Sequence, residues 1–417
     1  MYHALYCVNS CVCVLADCTH ERVVVLFSAF VHSLCVLANC THILVCVGVF
    51  VYVRWCVNNT HSLRSCVANN MRVLSVCGFW LTCVTCLAGF TRRFPTFYHT
   101  TETIAAQIRA IDCGAVPMSV RSESCGPNCF IDIVDIGYPN VPNRAFYLFG
   151  EHARELISPE TALVLVNALC SPERTAFVTR ALSRTKFRIV PNGNPVSRQL
   201  IERTGDFCLR ANEHGVDLNR NWDFHWSPDS VANTLVDQLN SGPSPFSEPQ
   251  TILFRDSVVE FNPTVFATVH SGTRGMYMPW AFAESTEPVR NGEKMKQLLS
   301  EMDPKFCECP AGQAAAEVGY NSPGTCLDWV HAHTNSAYSF AFEIYTGIGQ
   351  ENLADRYQQQ LRGESFAQLS VNVDQRDTCF EQFNPLTKET YDYVVNNWAN
   401  ALIELSVHAA QHSNVLN

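Results

Sequence analysis

The chain has 417 residues, with 29 basic and 39 acidic side chains, a formal charge of −10, and 47% hydrophobic against 16% charged residues. Such a length and apolar content exclude a peptide hormone, a small disulfide scaffold and wholesale disorder. The acidic balance argues against a nucleic-acid partner held by phosphate neutralisation.

Twelve of the 21 cysteines fall between Cys7 and Cys86 and nine between Cys113 and Cys379, so the chain changes composition near residue 90. Residues 1–70 read as a low-complexity, hydrophobic, Cys-rich extension, in which Val-Leu-Ala-Asp-Cys-Thr-His (14–20) returns as Val-Leu-Ala-Asn-Cys-Thr-His (36–42) without turn chemistry. Between Arg22 and Arg54 there is no charged side chain, a run longer than the roughly 20 residues needed to cross a bilayer. His32, Asn39, Thr41 and His42 interrupt it, and a membrane anchor there is the alternative reading. Met71 then opens a signal-peptide pattern over 71–90: Arg72, an apolar run from Val73 to Leu87, and small Ala88 and Gly89. A leader at that position implies that translation starts at Met71, which N-terminal sequencing of the native protein tests. The expected location is secreted or in an endomembrane or vacuolar lumen, with a membrane-anchored form as the alternative.

Residues 91–417 have the texture of a single soluble α/β domain. Apolar runs at 145–149, 187–190, 264–269 and 338–344 predict strands, the last alternating Tyr338, Phe340, Phe342 against Ser339, Ala341, Glu343. Ser158-Pro159-Glu160 predicts a helix start with Ser158 as N-cap, leading into 161–169. Alternating strands and helices predict a mixed, largely parallel twisted sheet with helices on both faces.

Each predicted strand runs into polar residues, and in open α/β sheets ligands bind at that edge. After 145–149 comes Gly150-Glu151-His152-Ala153-Arg154-Glu155. An imidazole and a carboxylate three positions apart can close on one ion, although a surface turn with an Arg–Glu pair fits the same residues. His270-Ser271 follows 264–269; with His152 and Glu155 it makes a His₂Glu set of the kind that leaves a zinc position open for water. In Val216-Asp217-Leu218-Asn219-Arg220-Asn221-Trp222 an arginine fork suited to a carboxylate sits among amides, or an Asp–Arg ion pair closes a loop. Glu343 lies between Phe342 and Ile344, where an acid is costly unless paired, metal-linked or catalytic.

In order, His152-x-x-Glu155, Asn219-Arg220-Asn221-Trp222, His270-Ser271, Tyr320 with Asp328-Trp329, and Phe340-Ala341-Phe342-Glu343 resemble the zinc metallocarboxypeptidases of the pancreatic carboxypeptidase A type, the M14 family. The likeness covers about residues 98–405, and its phrasing is closer to the plant and protist branch than to the digestive enzymes. The resemblance implies a zinc-dependent exopeptidase that removes C-terminal residues from peptides or proteins, acting as a monomer with one Zn²⁺ per chain. It implies His152, Glu155 and His270 as zinc ligands and Glu343 as the general base. Arg210 matches the arginine that holds the oxyanion, with Arg203 as a less favoured substitute. Asn219, Arg220 and Tyr320 match the group gripping the terminal carboxylate, and Arg154 matches an accessory substrate-binding arginine. Leu327 stands where basic-specific relatives carry an acid; with uncharged Ala281 and small Ser322 and Ala341, it predicts a preference for apolar or aromatic C-terminal residues.

The stretch 91–98 is too short for the inhibitory prodomain of the pancreatic relatives. Nine cysteines after residue 90 require at least one unpaired or intermolecular thiol, with the connectivity open. His331 and His333 read as a solvated helix face. The rival enzyme reading is a zinc amidohydrolase of the same fold acting on an unusual amide.

Overall fold

The computed structural model describes residues 95–228, 239–285, 287–347 and 374–413, together with the backbone of five short strands between residues 3 and 45. The predicted leader at 71–90, and most of the predicted extension and of the charge-free run before it, lie outside the described residues. No helix among the described residues is long and apolar enough to cross a membrane. The chain divides into two units, Met1–Thr91 and Arg92–Asn417. In the first, β1 (His3–Tyr6), β2 (Val12–Cys18) and β3 (Glu21–Leu26) form an antiparallel sheet, and β4 (Val36–Asn39) pairs with β5 (His42–Val45). The repeated Val-Leu-Ala lies both times in the first strand of an antiparallel pair.

The second unit is built on eight strands: β6 (Met118–Gly126), β7 (Cys129–Ile136), β8 (Asn143–Phe149), β9 (Thr185–Val190), β10 (Val265–His270), β11 (Arg274–Met278), β12 (Ala311–Gln313) and β13 (Tyr338–Ile344). Their order across the sheet is β12-β11-β13-β10-β8-β9-β7-β6. The central block β13-β10-β8-β9 is parallel throughout, and its four strands are those predicted from the sequence. Antiparallel strands flank it, β11 beside β13 and β7 beside β9. The flanking strands escape an apolar-run reading because they carry charge. Asp132 and Asp135 in β7 are matched by Arg109 at 2.6 Å and Arg188 at 2.7 Å.

Side-chain alternation in the central strands feeds two apolar layers. Ala145, Tyr147 and Phe149 of β8, Val265, Ala267 and Val269 of β10, and Tyr338, Phe340, Phe342 and Ile344 of β13 point into the larger one. That layer is covered by α1 (Thr101–Ala110), α2 (Ile157–Cys170), α6 (Gly292–Phe306) and α10 (Lys388–Ser413). Phe146, Leu148 and Phe266 point to the other face, under α5 (Pro249–Phe261) and α8 (Cys326–His333). The remaining helices in chain order are α3 (Ala176–Leu182), α4 (Pro195–Thr204), α7 (Ala314–Val318) and α9 (Asp374–Phe383). Period two therefore places Thr268 and His270 of β10, and Ala341 and Glu343 of β13, on the second face.

α2 starts one residue before the predicted cap, at Ile157, and Ser158 is not its N-cap. The Ser158 hydroxyl instead accepts from Gly150 N–H at 3.0 Å and donates to the Val269 carbonyl at 2.7 Å, tying the ends of β8 and β10 to the helix. Cysteines pair as Cys113–Cys170, Cys125–Cys129, Cys208–Cys379 and Cys307–Cys309, and the ninth, Cys326, is a buried free thiol.

Candidate metal centre

β8, β10 and β13 end side by side, and the polar residues that follow or close them converge there. His270 is the last residue of β10 and lies in register with Glu343 of β13. Beyond β8 the chain turns at Gly150, whose φ of 68° and backbone packing, with Pro159 Cγ 2.9 Å from where a Cβ would sit, favour glycine. The turn delivers Glu151, His152 and Glu155 into the same edge.

His152, Glu155 and His270 are buried, and one donor atom from each lies within 4.8 Å of the other two. His270 Nδ1 is 3.1 Å from His152 Nδ1 and 3.0 Å from Glu155 Oε2, and His152 Nδ1 is 2.6 Å from Glu155 Oε1. Donors about 2.0–2.1 Å from a tetrahedral zinc stand roughly 3.3 Å apart, so the set has the chemistry and spacing of a zinc site. Two imidazole nitrogens facing each other at 3.1 Å need a cation or a proton between them. The charges of His152 and His270 hold the Glu155 carboxyl well below its ordinary range even though burial alone would raise it. Burial disfavours a charged His270, yet Glu155 and the polar groups around the ring raise its pKa well above the usual value.

The outer nitrogens are also engaged. His152 Nε2 is 3.0 Å from Asp217 Oδ1, and the Asp217 carboxylate further accepts from Arg210 Nε at 2.8 Å and Asn219 N–H at 2.9 Å. Burial opposes ionisation of Asp217, but Arg210 and His152 hold its pKa well below the ordinary value. Arg210 Nη1 lies 3.8 Å from Glu155 Oε1, and the Arg210 carbonyl accepts from Ala153 N–H at 3.1 Å, so the arginine is bound to the loop bearing His152 and Glu155. Arg203 is exposed on α4, away from this cluster. The Glu343 carboxyl is raised by burial first and then by Glu155, while His270 and Arg210 act against that rise; Thr273 N–H is 3.4 Å from its Oε2.

Arg220 is buried, with Nη1 donating to the Asn219 carbonyl at 2.8 Å and Nη2 to Ser322 Oγ at 3.1 Å. Asn219 Oδ1 accepts from Cys326 N–H at 2.9 Å, and its Nδ2 is 3.4 Å from His270 Nε2. Tyr320 is half-buried and close enough to Arg210 to influence its charge. Arg154 lies over the Phe383 ring at 4.1 Å and donates to the Cys208 carbonyl at 3.3 Å. Leu327 is buried among Tyr277, Ala281 and Ala314, with Ala341 and Val318 against them. Asp328, beside it, is fully buried and accepts from the N–H groups of Ala281 and Phe282 at 2.8–3.0 Å. His331 is not on a solvated face: it is buried, and its Nε2 accepts from Arg290 N–H at 3.2 Å, because α8 turns that side toward the loop before α6. His333 alone of the pair is exposed.

Sequence reading missed the working partners Asp217, Glu151, Thr268 and Cys326. Asp217 and Glu151 were visible as acids beside motif residues, but nothing local says which imidazole an acid faces.

Residues 131–359 match the family described as zinc carboxypeptidase. The chain is 32% identical over 146 residues to carboxypeptidase B of Astacus astacus, covering 32% of this chain and 46% of that one. It is 25% identical over 267 residues to zinc carboxypeptidase A 1 of Anopheles gambiae, covering 59% and 60%. Thus the chain spans about half the length of the curated relatives it matches. The fold is similar to thrombin-activatable fibrinolysis inhibitor, with a TM-score of 0.59 at 19% identity over 77% of each chain. The bovine form of that protein in complex with tick carboxypeptidase inhibitor gives 0.57 at 18% identity, over 76% of this chain and 98% of that one. With the family match spanning more than half of its length, this chain belongs to the zinc carboxypeptidases.

Proposed function

We propose that the protein is a zinc-dependent carboxypeptidase that removes single residues from the C-termini of peptides, and the observation carrying this reading is the buried His152–Glu155–His270 donor set with Glu343 in register beside it. His152, Glu155 and His270 would hold one Zn²⁺. Zinc bound there supplies Lewis acidity, activating water and polarising the scissile carbonyl. Glu343 takes the proton from the attacking water and delivers it to the leaving amine nitrogen, which suits a carboxyl whose pKa burial has raised. Arg210, held by Asp217, donates to the oxygen of the tetrahedral intermediate as charge develops on it.

Recognition of a chain end needs a partner for its carboxylate. Arg220, fixed by Ser322 and the Asn219 carbonyl, offers a charge-assisted grip that an internal peptide bond cannot satisfy, with Asn219 and Tyr320 beside it and Arg154 further along the substrate. The cluster of Leu327, Tyr277, Ala281, Ala314 and Ala341 offers an apolar or aromatic side chain a surface on which burying the charge of Lys or Arg would be costly. Entry into the secretory pathway through residues 71–90 is consistent with four disulfides.

The test is a panel of N-blocked dipeptides assayed with zinc analysis. Rapid release of C-terminal Phe, slow release of C-terminal Arg and no cleavage of the C-terminal amide are expected. Equal cleavage of the amide would overturn the exopeptidase reading in favour of an amidohydrolase, and faster release of Arg would overturn the specificity.

A further inference from the structure

Each imidazole of the centre turns its Nδ1 inward and its Nε2 outward. For His152 the outward partner is Asp217, whose charge is shared with Arg210. For His270 the outward surroundings are a pocket formed by Glu151, Thr268, Asn219 and Cys326. Glu151 is 1% exposed, yet its carboxylate meets no cationic side chain among the described residues other than His270, at 3.3 Å from Oε2 to Nε2. A buried carboxylate in that position is costly unless positive charge lies behind the imidazole.

The hydrogens can be followed one by one. The Thr268 hydroxyl donates to Glu151 Oε2 at 2.6 Å, which leaves a lone pair of Thr268 Oγ1 facing His270 Nε2 at 2.8 Å. The Cys326 thiol also donates to Glu151 Oε2, at 3.4 Å. Both oxygens facing Nε2 are therefore acceptors, and at 2.8 and 3.3 Å they lie closer than the Asn219 amide nitrogen at 3.4 Å, so the geometry favours the hydrogen on Nε2. Nδ1 is then left as a lone pair directed at His152 and Glu155.

We propose that Glu151 is a positioning residue of the metal centre: through His270 Nε2–H, and together with the Thr268 hydroxyl, it fixes the tautomer and ring orientation of His270. It plays for His270 the part that Asp217 plays for His152. This inference rests on the zinc reading above, and it concerns a residue that touches neither substrate nor metal.

Zinc affinity of the full chain, measured by competition with a chromophoric chelator, tests it. Glu151→Gln keeps the size and an acceptor oxygen but removes the charge, and zinc binding about 10- to 100-fold weaker than wild type is expected. The cobalt-substituted variant should show a shifted visible absorption band, and KM for a blocked dipeptide should stay within about twofold of wild type while kcat falls. Thr268→Val, which removes the bridging hydroxyl, should weaken zinc binding in the same direction and carries the test if Glu151→Gln does not fold. Unchanged zinc affinity and an unchanged cobalt band in a folded variant would overturn the proposal. Wild-type protein that binds no zinc would instead overturn the carboxypeptidase reading and remove the basis of this one.

Discussion

At Glu343 burial and charge pull in opposite directions. The strand alternation that makes Phe340 and Phe342 core residues turns Glu343 to the other face, where it meets the field of Glu155, His270 and Arg210. In the proposed mechanism this acid, beside the candidate donor set, moves the protons. Glu343→Gln is accordingly expected to lower kcat by about 10²- to 10⁴-fold, with KM changed little and zinc retained. Steady-state kinetics together with metal analysis of the purified variant checks this, and loss of zinc in parallel with activity would assign Glu343 a binding role instead. Glu343 stood out in the sequence because a carboxylate inside an apolar alternation is anomalous on its own. Asp217 was not legible in the same way: it follows an apolar residue in a loop, and its value comes from His152 and Arg210, 65 and 7 positions away.

α8 carries two opposed titrations. Burial raises Asp328 from 3.8 to about 7, although the N–H groups of Ala281 and Phe282 and the charge of Arg220 act to lower it. Between those two pH values the folded protein keeps a proton that the unfolded chain has lost, so its contribution to stability is present below pH 3.8 and lost as pH rises through about 7. His331 is the reverse case: burial, then Arg290, lowers it from 6.5 to about 4, so its contribution is present above pH 6.5 and lost as pH falls through about 4. Each amounts to roughly 3–4 kcal/mol at most, and within the shared window the two largely offset. Urea unfolding at pH 4, 5.5 and 8 should therefore show stability that rises with pH for Asp328→Asn and stability that falls with pH for His331→Gln, each variant unmasking the titration that the other group offsets in the wild type. Parallel profiles for wild type and both variants would contradict the burial-driven origin of these shifts. The element itself follows from local chemistry, since Thr325 caps it by accepting from Asp328 N–H at 3.4 Å. Which of its two histidines is buried follows from packing against Trp280 and Arg290, which no spacing rule contains.

Over the whole molecule, the centre joins segments from β8, β10 and β13, and the end of α9 is tied to the loops beside it. Asn384, just past α9, donates to the Arg154 carbonyl at 2.8 Å and accepts from Ile157 N–H at 3.0 Å, while Cys379 is bonded to Cys208, two residues from Arg210. Gly272 lets Phe383 approach, since a Cβ there would fall 2.3 Å from that ring. A metal that binds only the folded arrangement stabilises all of these segments together, by about 2.7 kcal/mol at a hundredfold excess over Kd. Chelation with EDTA is thus expected to lower Tm by several degrees and abolish activity, and restoring Zn²⁺ should recover both. A melting curve unaffected by chelator would mean that the donor set does not link the segments through a metal.

The sequence by itself determined the central strands, the side of β13 on which Glu343 stands, and the His-x-x-Glu spacing, because these depend on periods of two or three residues along one segment. Tertiary structure alone decided that His270 meets His152 and Glu155 across more than a hundred residues, that Ser158 clamps two strands rather than capping a helix, and which cysteines pair. The physical reason is that strand order and register set those contacts, and they arise from the competition of whole elements for burial on the two faces of the sheet.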